Sequence, residues 1–464
     1  MPGPVAKSPL SIQDLDQFIY GSTPNPVHCR RGVEIGTGTV VPEINFTLPP
    51  IEINESTWSE IQGIYRETID AICQRAVALE IPSFLVEFET LPPMTVNPDW
   101  GVDITRILVE TLDRYHDQYG LKGALRLTPN DNRDHERPPL MRRGRYWEKM
   151  VELFERGVAE GADMLAIEST GGKEVCDDAL MTGDLKTVVF ALGVLSPRDM
   201  EFLWKEMVRA CGQGETIPSG DTACGFANTA MALADQNLIS RVFAAIVRVL
   251  SVPRNLVAYE VGALGPSKDC AYEGPYVKAI TGVPISMEGK TSACAHLTHM
   301  GNIAQAVCDC WSNESVQAVR LLSASAPIAY LEQLAYDCRL MNTASAHSAE
   351  DAIRLRDWLV ESDASLDPQA YVLRPDVVLR ISKEIVEEET PYRQVRRAAQ
   401  CTFQELKRAN ENGLLHLPKR EQKWLNRLEP VIQELPESEA DLIEEMLPNL
   451  DRSRFLPEEY GLSV

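Results

Sequence analysis

Short apolar runs alternate with longer amphipathic stretches over most of the 464-residue chain. Brief apolar runs bounded by turn signals read as buried strands, and runs with a period near 3.6 read as helices. Strands are therefore expected at 83–89, 123–128, 163–168, 187–195, 216–223, 256–264 and 283–288, with a further run at 318–323. Residues 34–47 alternate and carry glycines, as a strand pair or one bulged strand does. Helices are expected at 55–79, 146–161, 197–211 and 228–250, the third opened by Pro197 at its first turn.

Regular strand–helix alternation implies a parallel sheet covered by helices, and about eight such units favour a closed (β/α)8 TIM-type barrel. The α/β barrel is expected over 32–346, as the catalytic unit. Residues 1–31 read as an N-terminal extension with a short helix around 11–20, and 347–464 as a helical C-terminal extension without strands.

Composition narrows the setting. Hydrophobic residues make up 44% and charged residues 24%, ordinary values for a protein with a large core. A formal charge of −23 argues against nucleic acid and anionic membranes as partners. No uninterrupted apolar run reaches the ~18 residues of a membrane span, and the start lacks a secretory apolar run. Eleven cysteines, an odd number scattered along the chain, suggest a reducing cytoplasm rather than a disulfide framework.

Three residues stand where a barrel keeps its chemistry, at the C-terminal ends of expected strands. Glu168 ends 163–168, Cys224 follows 216–223 among Asp221, Thr222 and Gly225, and Cys270 follows 256–264 among Lys268, Asp269, Tyr272 and Glu273. One carboxylate and two thiolates from separate strands are the ligand set of a catalytic zinc with an open position. A buried small apolar residue is the commoner role of a lone cysteine. From the residues alone both roles stay open for Cys224 and Cys270, and burial is the reading for Cys73, Cys176, Cys211, Cys308, Cys338 and Cys401. A second constellation, Cys294, His296 and His299, lacks a further strand-end ligand and reads as a helix start, with Cys308 and Cys310 on the helix beyond it. The basic run 133–145 reads as a solvated loop or, more sharply, as a docking patch for an acidic partner. No phosphate loop or serine elbow is present, and Gly36-Thr37-Gly38 lacks the rest of a dinucleotide motif.

The runs 161–170 (GADMLAIEST), 219–231 (SGDTACGFANTAM) and 265–282 (GPSKDCAYEGPYVKAITG) resemble the zinc-containing subunit of methanol:corrinoid methyltransferases over almost the whole chain. Carried over motif by motif, that family's zinc ligands fall on Glu168, Cys224 and Cys270. The resemblance implies zinc-dependent transfer of the methyl group of methanol to the cobalt(I) of a corrinoid, giving methylcobalt(III). It also implies a separate corrinoid protein as partner and a homodimer of this chain. Thiol-methylating zinc enzymes instead show a His-x-Cys pattern, where this chain has Thr222 and Lys268. The competing expectations are a magnesium-dependent barrel lyase or aldolase using Glu168, and a non-catalytic barrel partner of a corrinoid protein. Asp221 and Glu273 are, by nearness in sequence, the candidates for protonating the departing oxygen.

Overall fold

Seven parallel strands curl into one sheet in the computed structural model, which describes residues 10–462 apart from 213, 271 and 317–319. They follow an antiparallel hairpin of β1 (Ser22–His28) and β2 (Glu34–Thr37). In chain order they are β3 (Val41–Thr47), β4 (Ser83–Glu89), β5 (Lys122–Thr128), β6 (Met164–Ile167), β7 (Ile217–Asp221), β8 (Ser286–Glu288) and β9 (Cys310–Val316). The spatial order is β7-β6-β5-β4-β3-β9-β8. Residues 264–267 span the gap between β7 and β8. Leu264 N–H donates to Pro218 O and Gly265 N–H to Ser219 O, both at 2.8 Å, while Ser267 N–H reaches Pro284 O at 3.2 Å. The expected (β/α)8 arrangement thus closes through an irregular eighth segment. Pro266 has no N–H to offer a ladder, so no regular strand forms there.

Several expectations need correction. Residues 187–195 are helical, as Leu185–Phe190 followed by a π-helical turn, Ala191–Leu195. Residues 256–264 are mostly the helix Val252–Val261, which ends before the eighth segment. Residues 188–195 are buried all round, and 256–264 carries a single charged residue, Glu260, so both runs are apolar at nearly every position and show no helical period. The stretch 228–250 is broken into Thr229–Asp235 and Arg241–Leu250. Cys310 opens β9, a strand rather than a helix. The run 318–323 lies partly outside the described residues, and its remainder includes a two-residue strand, Arg320–Leu321. Residues 34–47 are two strands, but β2 pairs with β1 while β3 belongs to the barrel. The short helix near 11–20 is a single turn, Leu15–Gln17. Among the described residues, 347–462 contain helices and turns only.

Side chains two apart on each strand fill the barrel in tiers. Val41, Leu85, Ala124, Met164, Ile217 and Cys310 form an apolar tier that the hairpin plugs with Val27, Val33 and Ile35. The next tier is polar. Arg126 of β5 is fully buried; its Nε donates to Glu43 Oε1 of β3 at 2.7 Å, its Nη2 to Ser286 Oγ of β8 at 2.7 Å. Its Nη1 reaches Ser219 Oγ of β7 at 3.2 Å and the carbonyls of Pro266 and Ser267 at 3.1 and 3.0 Å. Removing one partner of a buried ion pair leaves an uncompensated charge. Arg126→Met should therefore lower stability by about 3–5 kcal/mol in urea denaturation. The Arg126→Met, Glu43→Leu double variant should recover most of that loss. Equal losses in the two proteins would show that the pair does not hold the barrel.

Candidate metal centre

Glu168, Cys224 and Cys270 meet at the C-terminal mouth of the barrel, with their ligand atoms within 4.8 Å of one another. Glu168 follows β6, Cys224 follows β7 and opens a π-helical turn, Cys224–Asn228. Cys270 follows the irregular eighth segment rather than the strand expected at 256–264. Cys270 Sγ is hydrogen-bonded to Glu168 Oε1. Asn228 Nδ2 lies 3.9 Å from Cys224 Sγ and bonds Cys270 O. A cavity of about 160 Å³ opens beside the cluster, lined by Asn45, Glu89, Thr90, Thr128, Asn130 and Glu168. Liquid water occupies about 30 Å³ per molecule, so the cavity admits a substrate of a few atoms.

Without a metal the two thiols keep their protons. Cys224 and burial push the Cys270 thiol well up. The bond with Cys270 pulls Cys224 down, but burial and the Glu168 carboxylate outweigh it and hold the thiol up at about 11. Two thiols against one carboxylate ionise together only when a cation neutralises them, and thiolate-rich sets select zinc over magnesium. The residues therefore fit a zinc ion. Glu89, Asp269 and Cys270 form a second close set. It already holds a cation, because Lys268 Nζ lies 2.6 Å from Asp269 Oδ1 and contacts Glu89. Burial pulls Lys268 down, yet Asp269, Cys270, Glu87 and Glu89 keep its pKa well above the ordinary value. The same ammonium sits 3.3 Å from both Cys270 Sγ and Glu168 Oε1.

The three loops are tied to one another by buried carboxylates. Asp221 Oδ1 accepts from Ser169 N–H at 3.2 Å and Thr222 N–H at 2.7 Å, and Oδ2 accepts from the Trp204 indole at 3.0 Å. It thus links the Glu168 and Cys224 loops. Glu273 Oε1 accepts from Ala223 N–H at 2.8 Å, which links the Cys224 and Cys270 loops. Asp131 Oδ2 accepts from Thr170 N–H at 2.9 Å. Asp131 is itself paired with Arg133, whose guanidinium also bonds Asp199 at 2.8 and 2.9 Å. Arg133 is fully buried, so the basic run 133–145 is in part an internal brace, not a patch open along its length. Gly171 passes so close to Asp199 that a Cβ would lie 2.2 Å from Oδ2. Asp131 lies outside the expected site residues and Arg133 is expected only in a solvated or docking loop, although an Asp two before an Arg just past a strand is a visible signal. Cys294 is exposed on the helix Lys290–Ala295, and among the described residues neither it nor His296 or His299 joins a metal-competent group. All eleven cysteines are free of disulfides.

Residues 6–461 match the family model of the methanol-cobalamin methyltransferase B subunit, MtaB. The chain belongs to this family. A methanol–corrinoid protein co-methyltransferase of Methanosarcina barkeri (strain Fusaro) is 38% identical over 460 residues, covering 97% of this chain and 98% of that protein. A chain in the crystal structure of the methanol:cobalamin methyltransferase complex MtaBC from Methanosarcina barkeri superposes with a TM-score of 0.93 at 36% identity. That match covers 98% of this chain and 99% of the other.

Glu174, on the helix Lys173–Thr182 just beyond the Glu168 loop, gives the MtaB fold of this chain a pH response. Burial raises its carboxyl to about 7, against the pull of the Tyr460 hydroxyl that donates to it. A carboxyl with a raised folded pKa stabilises the fold fully below its ordinary value near 4.5, and that contribution is lost as pH rises through about 7. Stability should fall between pH 5 and 8, with Glu174 contributing on the order of 2–3 kcal/mol. Urea unfolding of Glu174→Gln should show a shallower decline. The same slope in both proteins would count against this assignment.

Proposed function

We propose that this chain transfers the methyl group of methanol to the cobalt(I) of a corrinoid carried by a partner protein, using zinc held by Glu168, Cys224 and Cys270. The observation that carries the reading is the convergence of these side chains at the barrel mouth of an MtaB-family chain. Near-full-length similarity to a methanol–corrinoid protein co-methyltransferase and to the MtaBC complex supports the same reaction and the same kind of partner. Zinc bound there supplies Lewis acidity toward the methanol oxygen. The chain's own residues orient and neutralise. Lys268 offsets the charge of Glu168 and Cys270, to which it lies 3.3 Å away. Asp221 and Glu273 fix the ligand loops. Asp221 spends Oδ1 on that task and Oδ2 on the Trp204 indole, so it is a poor source of the proton the departing oxygen needs. The paired thiols favour this reading over a magnesium lyase or aldolase.

Metal analysis should find one zinc per chain. Cys270→Ala and Cys224→Ser should lose most of it while far-ultraviolet dichroism stays unchanged, because the ligands sit at the mouth and not in the core. Full zinc in both variants would overturn the ligand assignment. With the reduced corrinoid protein, methanol should convert the cobalt(I) absorption band to that of methylcobalt(III). A chelator should stop the conversion and zinc should restore it. Persistence without metal, or a preference for trimethylamine, would refute the mechanism.

The assembly we read is a homodimer with one corrinoid protein per subunit, in the cytoplasm where eleven unpaired cysteines persist. Residues 32–346 form its catalytic unit, with 1–31 and 347–464 as extensions. Size-exclusion chromatography with the partner should show co-elution at that stoichiometry. A monomer that never co-elutes would contradict it.

A further inference from the structure

The helix Lys173–Thr182 starts immediately after the Glu168 loop, and its first turn has an unusual cap. Gly172 stands at the N-cap with φ +88° and has no side chain to cap with. Its N–H is instead bonded at 2.9 Å by the hydroxyl of Tyr460, 288 residues downstream. The same hydroxyl donates to Glu174 Oε1 at 2.6 Å, so it is fixed from both sides. Tyr460 is 1% exposed and its ring stacks on Phe455, with centroids 5.6 Å apart. The adjacent Glu459 grips the loop after β5, accepting from Arg142 N–H at 2.9 Å and Arg143 Nε at 2.8 Å. One short segment near the C-terminus therefore holds both loops that flank Glu168.

We propose that residues 455–462 are a strap that positions the Glu168 loop for metal binding, with Tyr460 as its positioning residue. This rests on the reading that Glu168 is a zinc ligand. The Glu168 side chain is one-third exposed; Cys270 and Lys268 hold its carboxylate, and where that carboxylate can reach is set by the backbone on either side. On one side that backbone is β6. On the other it is held by three donors, Ser169, Thr170 and Gly172, of which the last depends on Tyr460. Without the hydroxyl, a buried N–H loses its acceptor and the loop must shift to find another. Metal sites tolerate displacements of only about 0.5 Å in their ligands.

The test compares Tyr460→Phe and Phe455→Leu with the unaltered full-length chain. Zinc affinity is read by competition with a colorimetric chelator, and amide exchange by mass spectrometry of peptides covering 168–183 and 83–89. Tyr460→Phe should weaken zinc binding about tenfold, as loss of an outer-shell partner does, and should speed exchange in 168–183 but not in 83–89. Phe455→Leu should lower the melting temperature and leave zinc affinity within about twofold. Unchanged affinity and exchange in Tyr460→Phe would overturn the strap. So would equal zinc loss in the two variants, which would mean that general packing is responsible. If the unaltered chain bound no zinc, the ligand reading would fail, and the exchange comparison would still decide whether the strap holds the loop.

Discussion

A single buried guanidinium sets the geometry on which the rest depends. Arg126 cannot be left without partners inside the barrel, because an isolated buried charge is strongly unfavourable. Its donors reach β3, β7, β8 and the two carbonyls of the eighth segment. Those carbonyls belong to Pro266, which has no N–H to give, and to Ser267, which makes one isolated parallel bridge to Ile285. Arg126 thereby adds side-chain hydrogen bonds to the few backbone ones that tie this segment to its neighbours. The chain leaving this segment delivers Lys268, Asp269 and Cys270 to the mouth. The third candidate donor, Cys270, is thus placed by a polar contact deep in the barrel, not by a regular strand.

The next constraint is agreement among three loops. Each carries one donor, and loops are ordinarily the more mobile parts of a barrel. Here Asp221 and Glu273 join neighbouring loops through backbone N–H groups, and Asp131 adds a third tie braced by Arg133 and Asp199. Gly220 permits part of this closeness, since a Cβ there would lie 2.8 Å from Ser267 Cα. Carboxylates that looked like acid–base groups from their position in the sequence are mainly structural ties. Acidic side chains near a reactive cysteine carry the same letter in both roles, and only their partners tell them apart.

What the sequence showed and concealed follows from burial. Strands β4, β5, β6 and β7 were legible as short apolar runs between turn signals. Glu168 and Cys224 were found because a polar residue ends such a run. Cys270 was found through its polar neighbours, although the run before it was misread. The segment 188–195 conceals its period because it is buried all round, and 256–261 conceals it because Glu260 is its one charged residue. β9 is hidden for the opposite reason: Ser312 is polar because it faces the barrel's polar interior at Asp269, and Asn313, on the other face, bonds Thr291. Arg133 was taken for a surface cation because its partner Asp199 is 66 residues away, a pairing that periodicity does not reveal.

Electrostatics explains why two overlapping donor sets do not compete. Cys270 belongs to both sets, with Glu168 and Cys224 in one and Glu89 and Asp269 in the other. Lys268 fills the second set and touches the first at Glu168 and Cys270. Two divalent cations sharing one thiolate would repel, whereas an ammonium and one divalent ion divide the negative charge with less mutual repulsion. The lysine also limits the excess negative charge that thiolates and carboxylates would place around a zinc ion, and so preserves some of its Lewis acidity. Its stem arises from the segment that Arg126 anchors. The polar tier inside the barrel therefore bears on where the candidate donors stand and on how strongly a metal held by them would polarise an oxygen.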